Sequence, residues 1–366
     1  MSGKKALIAM SGGVDSSVSA ALMKDAGYEC IGATMKLYSD DSLNTCNTPD
    51  SVEDARKVAE SLGMPFYVFD FTEDFDREVV RRFVRTYEEG GTPNPCIECN
   101  KYMKHKKLFD SAVSLGCDVI VTGHYARIEQ DPDTGRWLLK KALNVAKDQS
   151  YVLYFMSQEQ LEHTRFPLGD FASKDEVREE AEKLDFINAH KHDSQDICFV
   201  PDGKYVDFIE RYTHKSYAPG NFTDTEGNVL GQHKGIIRYT IGQRKGLGLA
   251  LKQPMYVCEK DMANNDVILT TGPELYSKAL IADNFNWIPF DAPEEPVRVT
   301  VKTRYKAKET PATAEALRDE QGNLTGQARI VFDEPERAVA IGQAVVLYDG
   351  DIVVGGGTII KSIKEL

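Results

Sequence analysis

The stretch that most constrains this chain is Ser11-Gly12-Gly13-Val14-Asp15-Ser16, set between Lys4-Lys5-Ala6-Leu7-Ile8-Ala9-Met10 and Ser17-Val18-Ser19-Ala20-Ala21-Leu22-Met23. The apolar run before it is too short for a globular helix and suits a buried strand. After it, Val14, Val18, Ala21 and Leu22 recur at helical spacing, with Asp15 and Ser16 in the opening turn. A strand that runs through two glycines straight into a helix aims backbone N–H groups and a positive dipole end at one spot. Glycine lets that backbone close on an anion with no Cβ in the way. Phosphate is the natural occupant. Neither G-x-x-x-x-G-K-[ST] nor, after the first strand, G-x-G-x-x-G occurs, which excludes the ordinary nucleotide loops. The bland alternative is a Gly-Gly turn in a doubly wound domain; hydroxyls on both sides of the glycines favour phosphate.

The next segments repeat the alternation. Cys30–Leu37 reads as a second strand, and Asp50 or Ser51 caps a helix with Val52, Ala55, Val58, Ala59 and Leu62 on its apolar face. Phe66–Phe71 is a third strand, followed by a helix through Val79, Val80 and Phe83, and Asp118–Thr122 is a fourth strand ending in Gly123-His124. This predicts an α/β fold whose N-terminal part is a doubly wound parallel sheet with helices on both faces. Ligands in such sheets lie beyond the carboxyl ends of the strands, where Ser11–Ser16, Met35 and Gly123-His124 all fall. From Arg127 the rhythm changes: Asp131–Gly135 is a hairpin turn, and Ser173-Lys174-Asp175-Glu176 is a capping box opening a helix to about Leu184. Beyond Gly203–Tyr212 the character becomes β, with tight turns at Thr225–Asn228 and Asn264–Asp266. Short alternating strands up to the glycine cluster Gly355–Gly357 predict a small barrel or sandwich. The expected division is 1–210, 211–279 (a small mixed or β central domain) and 280–366 (a C-terminal β-barrel).

The 366 residues are 42% hydrophobic and 28% charged, with a net charge of −13, ordinary for a soluble globular protein except that the acidity argues against nucleic acid as a partner of the whole surface. No run approaches a membrane span, and the two lysines after Met1 precede too few apolar residues for a secretory signal, so the expected location is cytoplasmic with no membrane partner. Two local stripes run against the global charge. Lys101, Lys104, His105, Lys106 and Lys107 follow Asn100 and read equally well as a solvated helix face. Arg298, Lys302, Arg304, Lys306 and Lys308 fall on one face of a predicted strand with Thr300, opposite Val297, Val299, Val301 and Tyr305, and so suit a polyanion.

Seven scattered cysteines in a chain without a signal point to catalysis or metal binding rather than a disulfide framework. Within Thr92–Asn100, Cys96 and Cys99 form a C-x-x-C; two prolines keep the approach extended, and Cys99 is expected at the start of a helix from Asn100 to Leu115, where the dipole favours thiolate. A structural zinc would need a second such pair, which is absent, so it is the least favoured of three readings beside a redox pair and sulfur-handling thiols. Cys198 sits in a comparably polar setting, whereas Cys30, Cys117 and Cys258 read as core and Cys46 has no assignment. Tyr239–Gly248 is basic, glycine-punctuated and neither clean strand nor clean helix.

The S-G-G-x-D-S loop resembles that of the ATP pyrophosphatases, which cleave ATP between its α and β phosphates. With Thr92–Asn100, Thr122–Arg127, Lys147–Tyr151, Asp196–Phe199 and Tyr239–Gly248 in the same order, the chain resembles the bacterial tRNA-specific 2-thiouridylases of the MnmA family. That resemblance implies ATP-dependent replacement of the C2 oxygen of a tRNA wobble uridine by sulfur. Ala9, Met10, Ser11, Gly12, Gly13, Val14, Asp15, Ser16, Met35 and Gly123 would hold ATP, which arrives with Mg2+. Cys99 would be the nucleophile and Cys198 the persulfide carrier. Asn94, Pro95 and Cys96 would face the target base, and His124, Lys147, Asp148, Gln149, Arg304, Tyr305 and Gln343 would touch tRNA. The sulfur donor would be a cysteine desulfurase, directly or through relay proteins. Many members of that family have Asp where Cys96 stands. Two routes are therefore open: a [4Fe–4S] cluster on Cys96, Cys99 and Cys198, or a Cys99/Cys198 pair that cycles through a disulfide. An adenylating ligase, needing no paired thiols, is the alternative enzyme class; a nucleotide-sensing or tRNA-binding module is the non-catalytic one.

Overall fold

The computed structural model describes residues 3–38, 49–191, 197–200 and 203–365. The chain divides into two compact units, one of Met1–Val80, Pro95–Gly203 and Asp351–Val353, the other of Arg81–Asn94, Lys204–Gly350 and Val354–Leu366.

In the first unit, β1 (Lys5–Ala9) leads into α1 (Val14–Asp25), followed by β2 (Glu29–Lys36), α2 (Pro49–Ser61) and β3 (Phe66–Asp70). The sheet has the order β3-β2-β1-β4-β7, with β4 at Val119–Val121 and β7 at Thr164–Arg165, and every pair is parallel. Strand side chains alternate between faces, and here both faces are dry. Ala6 and Ile8 pack with Val14, Val18, Ala55 and Val58 on one side, and Leu7 packs with Leu108 and Ala112 on the other. The predicted doubly wound sheet is present.

Helix starts differ from expectation in two places. α2 begins at Pro49 rather than after Asp50 or Ser51. The Cys96/Cys99 helix begins at Pro95, not Asn100: α5 (Pro95–Glu98) runs through a π-wound segment, Cys99–Leu108, into α6 (Phe109–Ser114). A proline at the first helical position gives up only an N–H that would be orphaned anyway and presets φ, so the second proline starts the helix instead of prolonging the extended approach. Cys99 therefore lies a full turn inside, and Cys96 takes the first turn. Upstream, α3 (Thr72–Phe75) and the π-wound Asp76–Val80 continue into α4 (Arg81–Glu88). The hairpin β5 (Ala126–Gln130) and β6 (Trp137–Lys141) turns where expected. The unit also contains α7 (Gln158–Glu162) and α8 (Lys174–Lys183). Ser173 caps α8 by accepting the Glu176 N–H at 3.2 Å, but the Glu176 carboxylate takes the Ala172 N–H instead of the Ser173 N–H, so only half of the predicted box forms.

In the second unit, α9 (Tyr205–Thr213) precedes a sheet of order β10-β11-β8-β9, formed by β8 (Gly220–Asp224), β9 (Val229–His233), β10 (Tyr256–Asp261) and β11 (Asp266–Thr270). Among the described residues, six strands then close a barrel in the order β12-β15-β14-β13-β16-β17: β12 (Tyr276–Trp287), β13 (Val297–Lys302), β14 (Thr310–Arg318), β15 (Leu324–Arg337), β16 (Ala344–Asp349) and β17 (Ile352–Ile363, of which Val354 onward belongs to this unit). Closure comes from the antiparallel pairing of β12 with β17. Gly355 permits it, because a Cβ there would overlap the Asn286 carbonyl oxygen. The five-cation stripe does not form. β13 stops at Lys302 and Arg304–Lys306 lie in bends and turns, so Tyr305 is exposed rather than facing inward with the buried Val299 and Val301. Arg298 pairs with Asp333 at 2.7 Å and Lys302 lies 3.9 Å from Glu309.

Candidate active site

The loop between β1 and α1 is built to leave amides open. Gly12 takes φ +74°, and a Cβ there would overlap the Ser51 carbonyl oxygen of α2. Gly13 stands at the N-cap of α1 with no side-chain cap, so the first N–H groups of the helix are left for an anion. The serines brace the loop. Ser16 Oγ donates to the Gly13 carbonyl at 2.9 Å and accepts the Ser11 N–H at 3.2 Å, while Ser17 Oγ donates to Gly13 O at 3.2 Å. Met10 N–H donates to Ala33 O at 2.8 Å, which ties Ala9-Met10 to the strand that ends at Met35 and Lys36. Gly123, after β4, packs tightly against the start of α1: a Cβ would lie 3.0 Å from Asp15 Cβ and Ser16 N. Ser11–Ser16, Gly123 and the end of β2 thus meet at the carboxyl edge of the sheet, as the strand order requires.

Three residues to which the sequence assigns no site role complete this end. Lys174 Nζ donates to both carboxylate oxygens of Asp15, at 2.6 and 2.7 Å. The Tyr125 hydroxyl donates to Asp15 Oδ1 at 2.7 Å. The buried Asn188 carboxamide donates to Gly12 O at 3.1 Å and to Ser17 Oγ at 2.9 Å. The available signals were faint. Lys174 sits in the capping box, Tyr125 in the T-G-H-Y-A-R stretch, and Asn188 in no motif.

His124 is buried, and desolvation together with Lys104 holds its pKa well below the ordinary value, so the ring is neutral. Lys104 can only donate, which makes His124 Nε2 (3.4 Å away) the acceptor and leaves Nδ1–H to donate to Thr122 Oγ1 at 2.7 Å. His105 is also buried, its pKa pushed down to about 3 by desolvation. The lysine-rich segment is therefore not a uniform solvated face: His105 is core, Lys104 meets His124, and Lys107 pairs with Asp74 at 2.9 Å.

Several residues expected to touch tRNA have internal work. Asp148 is buried and accepts the Ala142 and Ser150 N–H groups and the Ser150 hydroxyl. Gln149 clamps Tyr125, accepting its N–H at 3.0 Å and donating its own N–H to the Tyr125 carbonyl at 2.8 Å. Lys147 is half-buried in the same turn. In the second unit, Gln343 Nε2 donates to the carbonyls of Thr92 (2.9 Å) and Pro93 (3.3 Å), fixing the backbone just before Asn94, while Arg304 and Tyr305 are exposed.

Cys96 is exposed, and Cys99 and Cys198 are half-buried. Phe199 packs edge-on against Phe75, with centroids 5.6 Å apart, and α3 packs against the π-wound segment that begins at Cys99. The Cys198 segment and the segment from Cys99 thus both touch α3, in the same unit. Among the described residues, no three His, Cys, Asp or Glu side chains gather closely enough to hold a metal ion. Burial raises the thiol pKa of Cys30 and Cys258 to about 11, as core cysteines require; Cys117 is only half-buried at the edge of its cluster, and Cys46 and Asp196 lie outside the described residues.

Family comparisons cover nearly the whole chain. Residues 4–202 match the tRNA methyl transferase HUP domain, 206–271 the tRNA methyl transferase PRC-barrel domain and 277–359 the aminomethyltransferase beta-barrel domain. The tRNA-specific 2-thiouridylase MnmA of Clostridioides difficile (strain 630) is 50% identical over 364 residues, covering 98% of this chain and 99% of that one. The protein of the same description from Acetivibrio thermocellus is 50% identical over 365 residues, covering 98% and 100%. Among solved structures, a U34-tRNA thiolase NcsA from Methanococcus maripaludis with its [4Fe-4S] cluster matches at TM-score 0.37 and 18% identity, over 58% of this chain and 68% of that one. At that score nothing about chemistry follows from it.

Proposed function

The chain belongs to the MnmA family of tRNA-specific 2-thiouridylases, and on that premise we propose how its residues perform an ATP-dependent 2-thiolation of tRNA uridine. The C2 oxygen of uracil is a poor leaving group. Attack of that oxygen on the α-phosphorus of ATP forms a C2–O–AMP ester and breaks the bond to pyrophosphate. The open amides of α1 and the Ser11–Ser16 backbone stabilise the departing diphosphate. ATP enters as its Mg2+ complex, a substrate rather than a resident group.

A persulfide on Cys198 then attacks C2 through its terminal sulfur, and AMP leaves. The Cys99 thiolate attacks Cys198 Sγ and breaks the S–S bond. The thiocarbonyl is released and a Cys99–Cys198 disulfide remains, which a dithiol reductant returns to two thiols. Asn94, Pro95 and Cys96 lead into the helix bearing Cys99 and are assigned to the target base, which must leave its stack to be reached. Arg304 and Tyr305, exposed on the second unit, are assigned to tRNA; His124, Lys147, Asp148, Gln149 and Gln343 shape the surfaces that meet it. The sulfur donor is a cysteine desulfurase or a relay protein, and the enzyme acts in the cytoplasm; among the described residues no helix is long and apolar enough to cross a membrane. The division 1–210, 211–279 and 280–366 is kept as the working domain map. No step is assigned to an iron–sulfur cluster.

The observation that carries this reading is the uncapped, glycine-closed start of α1 in the same unit as Cys96, Cys99 and Cys198. It is tested by mass analysis of tRNA nucleosides after incubation with ATP and a sulfur source. Cys99→Ser and Cys198→Ser should each abolish 2-thiouridine while pyrophosphate release survives. Full retention of activity by Cys99→Ser, with attack by nitrogen and no 2-thiouridine formed even by the wild type, would favour the adenylating ligase, and protein active only with bound iron would favour the cluster.

A further inference from the structure

We propose that Lys174 is a positioning residue of the nucleotide site: acting through Asp15, together with Tyr125, it neutralises and fixes the one carboxylate of the glycine loop so that a polyphosphate can settle on the α1 amides. This rests on the reading of Ser11–Ser16 as the ATP site. Asp15 is the second residue of α1, where the dipole favours a carboxylate. An incoming triphosphate seeks the same positive end, and an uncompensated carboxylate there would repel it.

Lys174 stands at the first residue of α8, where a cation opposes the dipole, and it is only 8% exposed. A buried ammonium at a positive helix end meets two unfavourable terms at once. The compensation is Asp15, reached by two charge-assisted bonds of 2.6 and 2.7 Å. Tyr125 OH adds a third to Oδ1 at 2.7 Å, and its ring lies 5.8 Å from the Lys174 ammonium. The Ser173 cap fixes the backbone from which Lys174 extends. The Asp15 side chain is 28% exposed against 9% for Lys174, so the carboxylate, not the ammonium, reaches solvent. Lys174 therefore acts through Asp15.

The test is ATP-dependent pyrophosphate release with tRNA, with KM measured separately for ATP and for tRNA. Lys174→Met should raise KM for ATP about 10- to 100-fold, the change expected on losing a charge-assisted hydrogen bond. KM for tRNA should stay within about twofold, a split that general loss of structure would not produce. Lys174→Arg, which keeps the charge, should recover most of the loss, and Tyr125→Phe should raise KM for ATP by about 3- to 10-fold. An unchanged ATP KM in Lys174→Met, an equal rise in both constants, or an Arg variant no better than Met overturns the proposal. If Lys174→Met does not fold, Tyr125→Phe decides, and an unchanged ATP KM there overturns it. Wild-type protein that releases no pyrophosphate would sink the reading of the loop itself; active wild-type protein with an indifferent Lys174→Met sinks only this inference.

Discussion

The carboxyl edge of the parallel sheet and the wall of the barrel are held by polar contacts of opposite kinds. At the sheet edge the bonds are buried or partly buried: Lys174, itself buried, to Asp15, Asn188 to Gly12 and Ser17, and His124 to Thr122. On the barrel they are open to water, as in Arg298–Asp333 and Arg329–Glu315. Removing one partner of a buried ion pair costs about 3–5 kcal/mol because the other charge is stranded. An exposed pair contributes at most about 1 kcal/mol. The first arrangement holds its groups in place; the second leaves charges at the surface whose loss costs the fold little.

The sharpest way to break that contrast is Gly12→Val. It combines a left-handed φ with an overlap on Ser51 O, and pyrophosphate release should fall at least about 100-fold, the scale of a misplaced catalytic group. An active variant would mean that the loop is not rigidly built. Gly355→Val tests the barrel in the same manner, since its Cβ would overlap Asn286 O beside the Trp287–Gly355 pair. The expected loss is about 3 kcal/mol by denaturant unfolding, read from Trp287 fluorescence in a Trp137→Phe background.

A smaller effect comes from Lys260, which donates to the Tyr239 carbonyl at 3.1 Å and whose pKa burial lowers to about 8. The folded protein sheds that proton near pH 8, whereas the unfolded chain holds it to about 10.4. Across this window the unfolded state binds more protons, so stability rises with pH, by at most about 3 kcal/mol. Lys260→Met should flatten the rise in unfolding curves recorded from pH 7.5 to 10.5, a range set by the same two values. The smallest effect is Arg298→Gln, for which stability should change by less than about 1 kcal/mol. If Arg298 also meets RNA, the log-log salt dependence of tRNA binding should lose about one unit of slope.

Much of the sheet edge could be read from the chain because its chemistry is local. Strand, glycines, hydroxyls and helix lie within twenty residues, and covalent order alone brings their amides together. Gly123 and Met35 followed from the parallel order, which sets every strand end on one edge. The Cys96/Cys99 helix was misplaced by a turn because one proline pattern is compatible with both an extended segment and a helix start. The basic strand failed because alternation was extended past Lys302, where nothing in the residue types marks the bend.

What the sequence determined by itself was the alternating strand–helix framework and the glycine loop that joins its first strand to its first helix. The tertiary structure alone decided that Asp15 is clamped by Lys174, 159 positions away, that Gln343 spends its carboxamide on Thr92 and Pro93, and that β12 and β17 close a barrel rather than a sandwich. Periodicity and motif are carried by near neighbours, whose geometry the backbone imposes. A buried ion pair, a side chain turned inward and a closing strand pair depend on which distant surfaces pack together, and no local pattern encodes that choice.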